Sequence, residues 1–417
     1  MTVLLRWIFP AAMLQGAPFS EIFIESTYIP CGDAAGRKVI RRWSRVLGGV
    51  MKKAISMTEG PLAKQILFVS LPLMLSNLLQ VLFNISDVAI VGRFAGSTAL
   101  GSVGSTSIFV TLFTGFLIGL GGGINVLVAR YYGAGRAKDV KKTVGSSLII
   151  SLIAGVILLL VGLFGSPALL QIINTKPDLL PGAVMYLRVY FLGMPALALY
   201  NYGNAVFSAI GDTKKPLIYL AIAGVLNVIL NLFFVIVCKL SVVGVALASA
   251  ISQCVSAGLI LHALTKVQDS YALHLREVKF DRAIGQRVLM LGVPAGLQNA
   301  VFAFANLFIQ AGVNSFDSLM VKGNSAAANA DNLIYDAMAA IYMACASFMS
   351  QNYGAGKVDR VKKSFFISLA YSFAIGLLLG GSLLLFGREF LALFTTEPAV
   401  IDAGMHRIGV MGLAYCI

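Results

Sequence analysis

Asp87 is the only formal charge in the apolar run Ile66–Val91, ILFVSLPLMLSNLLQVLFNISDVAIV, which is 26 residues long. Asn77, Gln80 and Asn84 precede it at spacings of 3, 4 and 3, so the four side chains form a stripe on one face of a helix. A carboxyl group held out of water gains by trading its charge for a proton or a bound cation. That is the chemistry of a cation-coupled exchanger. The amides alone are explained equally well as hydrogen-bonding glue between helices; Asp87 is not.

The element that must carry this stripe is a membrane span. At about 1.5 Å per residue the run reaches roughly 39 Å, enough to cross a ~30 Å hydrocarbon core. The whole chain agrees: of 417 residues, 58% are hydrophobic and 12% charged, and mean hydropathy is +0.85. Soluble domains carry about 25% charged residues. The runs are continuous and do not alternate, so the spans are helices and not barrel strands. Net charge is +14, but the excess sits in short loops, where it orients a membrane protein and does not signal nucleic acid. Cys31, Cys238, Cys254, Cys345 and Cys416 are scattered, as are His262, His274 and His406, and none has metal-ligand spacing. No HExxH and no Ser/His/Asp arrangement is present, so an enzyme is not expected.

Residues 1–56 differ from the rest. Trp7 and Trp43, the two tryptophans, lie there with the cluster Arg37, Lys38, Arg41, Arg42 and Arg45. This extension is expected to lie outside the fold, with Met51 or Met57 as the natural start. Spans are expected near 66–91, 103–129, 144–165, 182–208, 216–238 and 242–264. A polar connector follows at 265–286, then spans near 288–313, 325–350, 364–387 and 400–417. Lys and Arg crowd the even-numbered connections: Arg136, Lys138, Lys141 and Lys142 after span two, Lys214 and Lys215 after span four, Lys357, Arg360, Lys362 and Lys363 after span eight. Those turns and the N-terminus are therefore expected on the cytoplasmic side, in a bacterial inner membrane. Asp87, late in a span that starts inside, then falls in the outer half.

The chain repeats itself. Tyr132-Gly133-Ala134-Gly135 recurs as Tyr353-Gly354-Ala355-Gly356, and Val140-Lys141-Lys142 as Val361-Lys362-Lys363, both at a shift of 221. Pro72 and Asn77 recur as Pro294 and Asn299 at 222, and Thr175-Lys176-Pro177 as Thr396-Glu397-Pro398 at 221. Six spans per unit keep both units in one orientation, as in parallel repeats. The expected domains are a six-helix bundle over 57–264, the connector, and a second bundle over 287–417. This second unit stops within its fourth helix and reads as shorter than its own architecture.

Gly211-Asp212-Thr213-Lys214-Lys215-Pro216 and the YGAG segments have the composition of tight turns at helix ends. With Pro72, Asn84 and Asp87 in span one, GDTKKP at 211–216, QNYGAG at 351–356 and the repeat, the chain resembles the multidrug and toxic compound extrusion (MATE) family from about residue 57 to 417, and its DinF-type branch in particular. The resemblance implies an all-α integral membrane protein with two six-helix bundles arranged as a V. It also implies antiport of organic cations against Na⁺ or H⁺, with no cofactor and a monomer in lipid. It makes Pro72 the position where span one bends. Asp87 becomes the coupling carboxylate, with Asn227, Asn231 and Ser249 as partners. Position 231 is often Asp in that branch; Asn here removes one anionic ligand, which favours H⁺ or a weak Na⁺ site.

Asn77, Gln80, Asn84, Asp336, Asn306 and Gln310 are the side chains expected to line the cavity. Asp336 lies deep in span eight, Asp331 near its start at the interface, and Asn306, Gln310 and Asn314 are spaced 4 and 4. Met290, Met320, Met338, Met343 and Met349 supply adaptable apolar surface. The alternative function is a flippase for a lipid or lipid-linked sugar. It calls for several cavity-facing cations, and Arg188 is the clearest one within a span.

Overall fold

The computed structural model describes residues 56–417 except 314, 393–396, 413 and 417. The expected N-terminal extension, Asn314 and the Thr396 of the repeat lie outside those residues. The long helices are α1 (Leu62–Phe94), α2 (Ser97–Gly133), α3 (Ala137–Ile172), α4 (Leu180–Phe191), α5 (Met194–Ala209), α6 (Lys214–Leu232), α7 (Ser241–Lys266), α8 (Arg282–Val313), α9 (Ser318–Gly354), α10 (Val358–Ala392) and α11 (Pro398–Met411). Seven of them are long and apolar enough to cross a membrane, and the bent pair α4–α5 makes an eighth, among the described residues. The chain is an all-α, multi-pass membrane protein.

Its helices are inside-out relative to a soluble core. On α3, Ile153, Ile157, Leu160 and Phe164 are exposed, whereas Ser147, Ser151, Gly155 and Gly162 are buried. Lipid solvates the large apolar side chains, and small residues let helices approach within the bundle. Span four, read from sequence as one helix, is two, bent by 47°. Pro195 cannot donate to the carbonyl of Phe191, and the chain breaks at Leu192–Gly193. Span five ends in a π-helical turn, Phe233–Val237, that the apolar pattern does not reveal.

The two repeats interlock. The first helix of each packs on the second helix of the other: α1 on α9, and α8 on α2. Between α2 and α8 the seam is glycine. A Cβ added to Gly119 or Gly123 would run into the backbone at Gly296 or Gly292, and Asn299 Nδ2 donates to the Gly115 carbonyl at 2.9 Å. The repeated YGAG turns meet each other, Gly133 against the Gln351 carbonyl and Gly354 against that of Arg130. These joints lie between mid-helix and the end that carries the Lys/Arg-rich turns, the basic end. Toward the far end, Ile85 and Val88 of α1 and Val301, Phe302 and Ile309 of α8 are exposed. The described hydrogen bonds between the halves lie from mid-helix to the basic end.

Candidate functional site

Asp87 sits about two turns from the far end of α1, and its carboxylate is held from two other helices. Oδ1 accepts from Asn231 Nδ2 of α6 at 2.5 Å, and Oδ2 from Ser249 Oγ of α7 at 3.3 Å. The amide of Asn231 also donates to Asn227 Oδ1 at 3.1 Å, and Asn227 Nδ2 donates to Ser249 Oγ at 3.3 Å. The four residues thus form one closed polar cluster. Asn227, Asn231 and Ser249 are buried, and Asp87 is half-buried. Asn227 and Asn231 face the same way because they are one turn apart on α6. What brings α6 so close to α1 is Gly224: a Cβ there would collide with the Phe83 ring. The π-helical turn begins two residues after Asn231.

Every donor to Asp87 is neutral, so no fixed cation answers its charge within the cluster. Asn231 Oδ1 is buried with no hydrogen-bond partner. The carboxylate oxygens, Asn227 Oδ1, Ser249 Oγ and this orphaned oxygen make a set rich in acceptors. Such a set suits a small hard cation, or a proton on the carboxylate itself. Tyr186 and Tyr190 of α4, stacked with centroids 5.8 Å apart, stand within electrostatic reach of Asp87. Sequence reasoning missed both; a two-tyrosine i, i+4 pair in an apolar span was the available signal.

The rest of the α1 stripe divides. Asn77 Nδ2 donates to the Asp336 carbonyl of α9 at 2.8 Å, tying the halves at mid-membrane. Gln80 and Asn84 are exposed above it. Helix α1 runs unbroken through Pro72, whose ring leaves the Phe68 carbonyl without its helical partner. The Asp336 side chain is half-buried on α9, Asn306 is exposed on α8, and the side chain of Gln310 lies outside the described residues.

Two turn motifs do more than turn. Thr213 Oγ1 donates to the Val69 carbonyl of α1 at 3.0 Å, and Asp212 pairs with Lys215 at 2.8 Å. Gln351 Nε2 donates to the Ala209 carbonyl at 2.6 Å, Asn352 Nδ2 to that of Met57 at 3.1 Å, and Ser347 Oγ to Asn125 Oδ1 at 3.0 Å. GDTKKP is thereby fastened to α1 and QNYGAG to the other half. At the same end the connector is strapped to the α2–α3 turn. Lys142 pairs with Asp281 at 2.9 Å, and Lys141 with Glu277. The Lys142 hydrogen bond, with that of the Ile284 amide, holds the Asp281 carboxyl below its ordinary value.

Asp331 accepts from Arg407 and from the Tyr415 hydroxyl, and Arg407 also donates to Asn324. Arg188 is exposed and caps the Leu163 carbonyl at 3.1 Å.

The MatE family model matches residues 72–233 and 294–417. The chain belongs to the MatE family. It is 29% identical over 84% of its length, and 79% of the relative's, to the "Probable multidrug resistance protein YpnP" of Bacillus subtilis. It is 24% identical, over 88% and 81%, to the "FAD transporter" of Shewanella oneidensis. A solved structure described as the "Outward-facing conformation of a multidrug resistance MATE family transporter of the MOP superfamily" matches with TM-score 0.81 at 23% identity, covering 88% of this chain and 82% of that one. The fold is that of MATE transporters, and the protein is a membrane transporter of small molecules, not an enzyme.

Proposed function

We infer that this MatE protein exports organic cations or drugs from the cytoplasm in exchange for H⁺, or for Na⁺ bound weakly, by alternating access. The observation that carries the reading is the Asp87 cluster. It is a carboxylate in the outer half of a span, answered only by neutral donors and beside an orphaned buried oxygen. Such a group has two states of similar cost: charged with a cation, or neutral with a proton. An ion and a cationic substrate then compete for one negative charge, which is how exchange is enforced. The relatives named for multidrug resistance support the substrate class.

The basic end is assigned to the cytoplasm by its Lys and Arg turns. The hydrogen bonds that join the halves gather from mid-helix to that end, which supports reading this conformation as outward-facing. Asp87, in the outer half, stands where the driving ion enters and the substrate leaves. Rocking about the glycine joints would present the cleft to the other side. The flippase reading finds less support, because Arg188 faces the α3 backbone and supplies no headgroup cation.

The test is ethidium efflux from pump-deficient bacterial cells expressing the chain or its Asp87→Asn variant. Efflux by the parent and none by the variant is the expected result. Equal efflux from both would remove Asp87 from the coupling role. Silence from the parent, with protein in the membrane, would sink the multidrug reading.

A further inference from the structure

The Asp87 cluster has a second polar layer beneath it. Helices α4 and α7 both run from the far end toward the basic end, so a step of four residues on either descends one turn, about 6 Å. From Tyr186 that step reaches Tyr190, and from Ser249 it reaches Gln253. The Tyr190 hydroxyl stands within hydrogen-bonding reach of the Gln253 and Thr114 side chains. Thr114 belongs to α2, so three helices of the first half meet in this layer. None of these residues is part of the set formed by Asp87, Asn227, Asn231 and Ser249.

The layer is rich in oxygen and short of partners for it. Gln253 Oε1 and Thr114 Oγ1 are buried, and neither has a hydrogen-bond partner among the described residues. Unpaired oxygens held out of water are costly, and each keeps lone pairs to offer. The layer also abuts the break between α4 and α5. A Cβ at Gly193 would collide with Gln253 Oε1 and crowd the backbone of Ala250, so the amide oxygen lies against the break itself. At that break the Phe191 carbonyl loses its helical partner to Pro195, and no other backbone N–H among the described residues takes its place. Interrupted membrane helices use such carbonyls and half-helix C-terminal ends to hold Na⁺. With no carboxylate in the layer, a divalent ion is a poor fit.

We propose that Gln253 Oε1, Thr114 Oγ1, the Tyr190 hydroxyl and the Phe191 carbonyl hold one Na⁺ at the α4–α5 break, separate from the cation exchanged at Asp87. The ion fixes the 47° bend that sets Tyr186 and Tyr190 beside Asp87. It is a resident of the first half, and its binding does not depend on the exporter reading.

The test is equilibrium binding of radioactive Na⁺ by scintillation proximity, using the purified full chain in detergent. Asp87→Asn is the background, because it removes the exchange carboxylate and leaves the lower layer intact. One Na⁺ per chain should still bind. Adding Gln253→Met, an apolar side chain of similar length, should weaken it at least tenfold, and adding Thr114→Val should do the same. Adding Gln253→Glu, which puts a charge where the amide oxygen stands, should tighten it at least tenfold. Absence of Na⁺ binding to Asp87→Asn overturns the proposal, as does an affinity unchanged by Gln253→Met. A misfolded Gln253→Met chain would also lose Na⁺, but misfolding does not tighten binding, so Gln253→Glu without a gain also overturns the site. No gradient or substrate enters this assay, so failure of the exporter reading shows separately, in ethidium efflux.

Discussion

Asn231→Asp places a second carboxylate against Asp87. The native amide nitrogen is 2.5 Å from Asp87 Oδ1, so two carboxylates would stand about 3–4 Å apart. At an effective dielectric of about 20, unit charges at that separation repel by about 4 kcal/mol. The cluster has no cation to offset this, and it would take up a proton or a monovalent ion. If bound Na⁺ relieves half the repulsion, about 2 kcal/mol, its affinity rises about 30-fold. The assay is ethidium efflux from energised membrane vesicles, titrated with Na⁺ at a fixed alkaline pH where protons compete least. The half-saturating Na⁺ concentration should fall by about 30-fold relative to the parent. Adding Asp87→Asn to Asn231→Asp returns the cluster to one carboxylate on the opposite side, and the parent's weak Na⁺ dependence should return with it. An Asn231→Asp protein with unchanged Na⁺ response would refute the idea that charge count in this cluster sets the coupling ion.

Other outcomes follow from the packing. Gly224→Ala drives a methyl group into the Phe83 ring. Overpacking of this kind costs about 1–3 kcal/mol, so export should fall although no polar group is altered, and Phe83→Leu in the same chain should restore it. Asn125→Cys with Ser347→Cys, in a background lacking the other cysteines, places thiols where a 3.0 Å hydrogen bond now joins the halves. Oxidation should stop export and reduction revive it; full export while cross-linked would mean the halves need not part there. Asp281 is depressed by Lys142, so its contribution is present above the ordinary value of 3.8 and lost as pH falls through the lower folded one. The Tm gap between the parent and Asp281→Asn should therefore close on acidification, and a gap independent of pH would exclude the pair as its cause.

Much of this architecture is legible in one dimension. Spans are continuous apolar runs, and a repeat with a constant shift forces two related halves. Asp87 stands out because burial makes an isolated carboxylate expensive wherever its helix goes. What pairs with what is harder to read. The packing of α8 on α2 of the other half depends on Gly119, Gly123, Gly292 and Gly296, and in sequence a glycine that permits close approach looks like one that merely tolerates a bend. GDTKKP and QNYGAG read as turns because their composition is that of turns. Their second task is done by side chains bonding to backbone carbonyls, Thr213 to α1 within the first half and Gln351 and Asn352 across to the other half, and carbonyls have no signature in sequence. Asp331 reads alone as an interfacial charge because its partner Arg407 stands 76 residues away.

Helix α1 connects the site to the joint. Its basic half, Leu62 to Leu73, packs with Ala340, Ala344 and Phe348 of α9, while its far half carries Asp87 to α6 and α7. A change in charge at Asp87 acts directly on first-half contacts, yet the same rigid element ends in the seam with the second half. At the upper end of the first stretch lies Pro72, where one helical hydrogen bond is absent. Among the described residues the seam is made of glycine, backbone and neutral side chains, with Lys357 and Arg360 donating to backbone carbonyls ahead of α1, and with no ion pair between buried side chains to break. Separating such surfaces forfeits packing and a few neutral hydrogen bonds, each with a net worth of about 0.5–1.5 kcal/mol. Occupancy of one carboxylate, linked to the seam through α1, is of the same order. A joint sealed by buried salt bridges would be beyond the reach of a single proton or Na⁺; this one is not.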